Sequence, residues 1–535
     1  MGSPEILDRG GFEAAGGTSA DGSGGPGWSD RHSTMGESPR RMCEPYRATM
    51  TDRLPRLLLL ALAAASMTSP LTVADDPPAP IRGIVFILAD DLRADFLGCT
   101  GRKNIETPAI DRLAASGTRF EHAYCQGSRS PAVCLPSRSR ILTGGSDWSV
   151  PNWPAAQRGN DLPLWPDVLR DLGWRTHHVG KWHCGRPWFE RSFESGESVL
   201  FGGMGSHWTL EVEDHPLVGD PAKRRLRRYS TEEFGGAAVD FLRSHAADEP
   251  DRPFVLSLCF TAPHDPRTSP EESEAETRAA TIGLPGNLLP VHPFDNGEMT
   301  IRDEELLPWP RTTTAVRREI ALYEQMIEAI DRQVAAVLSA LDQTGLRDEV
   351  LVIFAGDHGL ALGSHGLLGK QNLYEHSMRA PLILDGAAFS NGGVRRDFAH
   401  LHDLAPTILA AAGVSPPDRM DGQDLHRPTG RDGVLTRYRD AQRAWRGDRF
   451  KIIWYPAIDR WQVFDLSIDP EEIVDLARDP GEADRIAALR RELQAARDRC
   501  GDDAILLVEE TRSETFDAEA ANAARSAKRP HWRLR

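Results

Sequence analysis

No two of the seven cysteines form a CxxC pair and none has zinc-finger spacing, so a structural zinc site is not expected. A basic surplus is also missing. Aspartate plus glutamate outnumber lysine plus arginine by 79 to 63, for a net charge of −16. That excludes a general nucleic-acid binder, which needs a cationic surface. Affinity for an anionic substrate must then come from a local cluster of cations or from a metal. There is no internal repeat, and no apolar run is long enough to cross a bilayer as a helix.

The run LLLLALAAA comes after Met50-Thr-Asp-Arg-Leu-Pro-Arg and precedes small residues ending near Ala74. A basic start, a short apolar centre and a small-residue exit describe a secretory signal peptide over 50–74. Residues 1–49, rich in Gly, Ser and Arg, read as disordered or as an extension from a misplaced start. The expectation is a secreted or periplasmic protein. No cysteine lies close behind the signal to carry a lipid, so no stable membrane anchor is expected.

Beyond the signal, the chain alternates between short apolar runs and amphipathic stretches. GIVFIL (83–88), WRTHHVG (174–180), FVLSLCF (254–260) and VLVIFA (350–355) read as buried strands. Residues 107–116, 161–172, 231–245 and 315–341 read as helices, the last with a stripe from Ile320 to Leu341. The Pro-rich, acidic stretch 265–310 reads as a surface excursion. This order predicts an α/β fold with a large, mostly parallel sheet flanked by helices. Beyond about 435, RFKIIWY and RWQVFDL predict a small antiparallel subdomain, with a helix over 482–498. The expected divisions are a catalytic domain over 80–435, a C-terminal subdomain over 436–510, and a frayed tail over 511–535.

Polar residues collect where the strands end. Asp90-Asp91, Lys181 and His183, His264, and Asp357-His358 each lie at the carboxyl end of a predicted strand. In open α/β sheets the carboxyl ends of the strands are where ligands bind. Asp90, Asp91 and Asp357 offer hard oxygens suited to Ca2+ or Mg2+. Arg138, Lys181 and Lys370 are cations that could surround a tetrahedral anion, and His183 and His264 are candidates for proton transfer. Cys134 lies in Cys-Leu-Pro-Ser-Arg, with Pro136 suited to a first helical turn. A cysteine just before a helix N-terminus suits a nucleophile acting on an anionic ester. From this pentapeptide alone, a buried structural thiol is equally compatible.

CLPSR (134–138) and GKWH (180–183) resemble the two signature motifs of the type I sulfatases of the alkaline-phosphatase superfamily. The resemblance extends from about 83 to about 480 and includes AGDHGLALGSHGLLGKQNLYEHSMRAPLI, which is most similar to bacterial arylsulfatase and iduronate-sulfatase-like enzymes. It implies an alkaline-phosphatase-like fold and hydrolysis of a sulfate ester on a carbohydrate or aryl alcohol. It implies that a separate maturation enzyme converts Cys134 to Cα-formylglycine. The hydrate of that aldehyde attacks sulfur, and the covalent sulfo-enzyme then collapses to release sulfate. It implies one Ca2+, with Mg2+ the lesser choice, held by Asp90, Asp91, Asp357 and His358 beside residue 134. Arg138 would orient the hydrate, Lys181 and Lys370 would bind sulfate oxygens, His183 would be the base that releases sulfate, and His264, with Lys370, would protonate the leaving oxygen. Many relatives carry Asn where this chain has His358, a softer ligand than calcium prefers.

Two rivals share the fold: a phosphodiester or phosphonate monoester hydrolase, and a non-catalytic protein that binds sulfated glycans. A third is a hydrolase that uses the Cys134 thiol itself. Trp148, Trp153, Trp188 and Trp208 could stack on sugar rings, although core packing is the commoner use of Trp. The basic run KRRLRR (223–228) reads as a solvated surface that could also meet a sulfated polysaccharide.

Overall fold

The computed structural model describes residues 81–150, 162–390, 392–504, 506 and 514–528. The extension, the signal segment and Trp153 lie outside the described residues.

Five strands form the parallel centre of a ten-stranded sheet. In spatial order they are Val350–Gly356, Gly83–Ala89, Phe254–Cys259, Arg175–Lys181 and Ser195–Leu200. Leu382–Asp385 pairs antiparallel with Val350–Gly356 on one side, and Glu211–His215 pairs antiparallel with Ser195–Leu200 on the other. Alternation along Gly83–Ala89 separates the two faces. Ile84, Phe86 and Leu88 join a core with Trp165, Leu169, Ile141 and Ile408. Val85, Ile87 and Ala89 join a second core with Phe234, Phe241, Ile320 and Ile330. Helices therefore cover both faces, as a sheet with a parallel centre requires. The stripe expected from Ile320 to Leu341 is buried along a helix that runs Thr313–Thr344.

The C-terminal antiparallel sheet contains Gly433–Tyr438, Gln442–Gly447, Phe450–Tyr455 and Arg460–Asp465. The helix Ala483–Cys500 packs Ile486, Leu489 and Leu493 against it. Two findings revise the expected division at 435/436. That boundary falls inside the Gly433–Tyr438 strand, and Gly127–Ser128, just upstream of Cys134, adds a fifth strand to this sheet.

The stretch 265–310 is not a purely surface excursion. It buries Ile282, His292, Phe294 and Met299 and contains the helix Glu272–Ala279. The tail expected to be frayed contains the helix Ala518–Ala527, where Asn522 Oδ1 accepts a hydrogen bond from Trp309 N at 3.1 Å. Trp188 is a core residue, whereas Trp208 is 45% exposed. Lys223, Arg225, Arg227 and Arg228 are exposed along and just beyond the outermost strand, Ala222–Arg225. Among the described residues, no helix is long and apolar enough to cross a membrane.

Candidate functional site

The ends of the central strands bring the candidates together. Asp90 and Asp91 come directly after Gly83–Ala89; the Asp90 amide donates to Ala262 O at 3.1 Å and the Asp357 amide to Ala89 O at 3.1 Å. These bonds hold three chain exits side by side. Asp91 has φ 67°, a strained conformation for a residue with a side chain. Its carbonyl accepts from the Tyr323 hydroxyl at 2.6 Å, and its amide donates to Asp357 Oδ1 at 3.0 Å. Gly180, at φ 89°, sits at a register shift before Lys181, and a Cβ there would stand 2.2 Å from Cys259 O. Only glycine fits this bend.

Cys134 is the first residue of the helix Cys134–Thr143, not the residue before it, and every residue of that helix is buried. The first turn brings Arg138 back toward the acids. Its Nε donates to Asp357 Oδ2 at 3.1 Å, Nη1 donates to Lys181 O at 3.0 Å, and Nη2 lies 3.8 Å from Asp90 Oδ2. Ser137 Oγ donates to Asp357 O at 2.6 Å. Lys181 Nζ pairs with Asp90 Oδ2. Lys370 Nζ lies 2.6 Å from Asp91 Oδ1 and 3.1 Å from Cys134 Sγ. His358 Nε2 is 3.5 Å and His264 Nε2 is 3.8 Å from Asp91 oxygens.

Burial dominates the electrostatics, and the neighbouring charges decide the outcome. Burial pushes Asp90 up, but Lys181, Arg138, His264 and Lys370 together hold it well below the usual carboxylate range. Asp91 is likewise lowered by His264, Lys370 and His358 against its burial. Asp357 is raised, by burial first and then by the charge of Asp90. Burial, helped by Asp90, raises the Cys134 thiol well above its ordinary value. A thiol so held is a neutral group and a poor nucleophile.

His183 stands apart. Direct contacts join all the other candidates, whereas His183 Nδ1 is buried without a hydrogen-bond partner. Burial, then the charges of Lys181 and Arg138, push its imidazole down to about 2, so it is neutral beside these two cations. His177 and His178 are core residues, bonded to Ser195 Oγ and Ser257 Oγ.

The donor set suits a divalent cation. Asp90, Asp91, Cys134 and His358 offer ligand atoms that all lie within 4.8 Å of one another. Asp90 Oδ1 and His358 Nε2 are buried without a hydrogen-bond partner, an arrangement that costs free energy unless something binds them. Two of the four offer carboxylate oxygens, which suit a hard ion.

Sequence reasoning misses Asp303, Glu304 and Gln371. Gln371 Nε2 donates to Asp303 Oδ2 at 2.8 Å, and the same oxygen is 4.0 Å from Lys370 Nζ. Glu304 accepts from the amides of Leu368 and Gly369, just before Lys370. Both acids lie in the stretch expected to be a surface excursion, and no spacing marks them.

A sequence model of the family described as Sulfatase matches residues 82–414, and one for the C-terminal part of N-sulphoglucosamine sulphohydrolase matches 363–499. The arylsulfatase of Clostridium perfringens is 26% identical over 472 residues, spanning 76% of this chain and 92% of that protein. The N-acetylglucosamine-6-O-sulfatase of Bacteroides thetaiotaomicron is 25% identical, spanning 78% and 86%. A structure solved with its substrate D-glucosamine-2-N,6-O-disulfate superposes with a TM-score of 0.65 at 21% identity, covering 80% of this chain and 100% of that one. The phosphonate monoester hydrolase of Agrobacterium radiobacter shares the fold, with a TM-score of 0.60 at 20% identity, covering 79% and 96%.

Proposed function

The chain belongs to the sulfatase family of sulfuric ester hydrolases, and from that premise we propose that residue 134, matured from Cys134, is the nucleophile toward a sulfated carbohydrate or aryl alcohol. The observation that carries this reading is the setting of Cys134 Sγ: a buried, neutral thiol 3.1 Å from the ammonium of Lys370 and 3.8 Å from Asp91 Oδ1. Such a thiol attacks poorly. Formylglycine in its place would supply a hydrated aldehyde, with one hydroxyl to attack sulfur and a second whose deprotonation expels sulfate. A separate maturation enzyme is the partner this requires.

Asp90, Asp91, Asp357 and His358 would hold a Ca2+ ion, which when bound polarises the sulfate and favours ionisation of the attacking hydroxyl. Arg138 orients residue 134 and braces Asp357. Lys181 and Lys370 present fixed positive charge where the sulfate oxygens gain negative charge. His183, whose Nδ1 has no hydrogen-bond partner, takes the proton that accompanies sulfate release. His264 gives a proton to the departing oxygen, with Lys370 beside it.

The substrate class comes from the relatives. One is named as an N-acetylglucosamine-6-O-sulfatase, and one structural neighbour holds a disulfated glucosamine; a sulfated sugar is proposed here. Export through residues 50–74 would place the enzyme where such glycans occur. The test is paired. Mass spectrometry of the peptide containing residue 134 should show the aldehyde only in active preparations. Turnover of an aryl sulfate should also exceed that of the matching aryl phosphodiester. Full activity with an unmodified thiol would overturn the nucleophile, and a strong preference for the phosphodiester would reassign the enzyme to the phosphonate-hydrolase type.

A further inference from the structure

Three consecutive side chains in the loop before the long Thr313–Thr344 helix reach toward the site. Arg302 Nη2 grips both carboxylate oxygens of Asp265, and its Nη1 donates to Asp303 Oδ1 at 2.5 Å. Asp265 is the neighbour of His264, whose Nδ1 lies 2.7 Å from Asp265 O and 3.7 Å from Asp265 Oδ2. Asp303 faces the other way: its Oδ2 accepts from Gln371 Nε2 and stands 4.0 Å from Lys370 Nζ. Glu304 is buried and takes the Leu368 amide at 2.9 Å, the Gly369 amide at 2.8 Å and Arg311 Nη2 at 2.8 Å. His264 and Lys370 meet on Asp91 from these two supports, at 3.8 Å and 2.6 Å.

We propose that Arg302 and Asp303 are positioning residues that hold His264 and Lys370 in register as one unit for protonating the leaving oxygen, with Glu304 fixing the backbone that carries Lys370. The inference rests on His264 and Lys370 acting on the leaving group, the roles given to them under the proposed function. His264 and Lys370 come from loops after different strands, far apart in the chain, and proton transfer tolerates little misplacement. Arg302-Asp303 is one dipeptide bonded to both loops and to itself. Asp265 and Asp303 are each paired with Arg302, so a shift of either loop leaves a largely buried carboxylate without its cation. Arg302 has a side chain 38% exposed, so the pair also forms part of the rim. Neither residue touches Cys134 or the acids Asp90 and Asp357.

The test uses the matured, metal-loaded enzyme and aryl sulfates ranging from 4-nitrophenyl to phenyl sulfate. A good leaving group needs no proton, whereas a poor one does. In Asp303→Asn, kcat/KM for phenyl sulfate should fall about 100-fold, within the range of general-acid effects, whereas that for 4-nitrophenyl sulfate should fall less than about 5-fold. Asp303→Glu should restore part of the loss. Arg302→Gln, at the more exposed position, carries the same expectation should Asp303→Asn not fold. A uniform loss across the series, or none, overturns the inference. His264→Ala and Lys370→Ala serve as references. If they lack leaving-group dependence, the roles assigned to them fail, and the inference falls with them. If they show it and Asp303→Asn and Arg302→Gln do not, only the inference fails.

Discussion

Lys370 Nζ stands between Asp91 Oδ1, at 2.6 Å, and Cys134 Sγ, at 3.1 Å, so one ammonium touches both a candidate metal ligand and the candidate nucleophile. Its pKa is raised well above the ordinary value: burial opposes the charge, but Asp91, Cys134 and Asp303 outweigh it. The group is a fixed cation. Lys370→Ala should lower kcat by about 100- to 1000-fold, the cost of losing one preorganised donor to developing charge. Steady-state kinetics with an aryl sulfate measures this. A loss confined to KM would show that Lys370 only binds the ground state.

Metal removal should be visible without any assay of turnover. Asp90, Asp91 and Asp357 are buried acids in one cluster. Chelation should lower the thermal midpoint, and adding Ca2+ should restore it; at a hundredfold excess over Kd the ion contributes about 2.7 kcal/mol. In Asp90→Ala the midpoint should no longer respond to Ca2+. A wild-type midpoint indifferent to chelator and to Ca2+ would remove the metal from the site.

A second buried charge cluster gives a pH prediction. Lys451 Nζ lies 3.0 Å from Glu375 Oε1 and 2.8 Å from Glu472 Oε1. Burial, chiefly, and the charge of Glu375 raise Glu472 to about 7, whereas Glu375 is held at about 2 by Lys451 and two arginines against its own burial. Glu472 therefore holds a proton in the folded chain that the unfolded chain has released. Its contribution is fully present below the ordinary glutamate value and is lost as pH rises through 7, on the order of 3 kcal/mol. Urea midpoints measured from pH 5 to pH 8 should fall across this window in wild type and flatten in Glu472→Gln. Parallel curves would show that Glu472 is ionised throughout.

Gly180→Ala tests the strand end that carries Lys181. Its φ of 89° and the 2.2 Å approach of a Cβ to Cys259 O leave no relaxed position for a methyl group. The substitution should cost roughly 1–3 kcal/mol or more and move Lys181 off Asp90. Differential scanning calorimetry reads the first effect and turnover the second. An unchanged midpoint would mean that the backbone there can adjust freely.

The strand-end motifs are legible in the sequence because each polar pair sits directly after an apolar run, and a parallel sheet brings such ends to one rim. GIVFIL leads to Asp90-Asp91 and VLVIFA leads to Asp357-His358, and the structure sets those two exits in hydrogen-bond register. The long helix is legible from its stripe. The supports are not. Asp303 and Gln371 are 68 residues apart, and an acidic residue in a Pro-rich loop looks the same whether it faces solvent or a buried lysine. The two-residue strand Gly127–Ser128 carries no periodicity at all; only its partner, Gly433–Tyr438, makes it a strand. The tail helix Ala518–Ala527 is polar enough to read as frayed, and it is the docking of Asn522 onto Trp309 that gives it a place.

That short strand sets a clock on synthesis. Gly127–Ser128, six residues before Cys134, finds its sheet partner about 300 residues later, in Arg437 and Tyr438. At ordinary rates of chain elongation the partner appears on the order of tens of seconds after the Cys134 segment has been made. Until then the helix Cys134–Thr143 lacks part of what buries it. The folded enzyme shields this cysteine almost completely, at 4% exposure, so any reagent or enzyme that must reach the thiol has to meet it before the chain has folded.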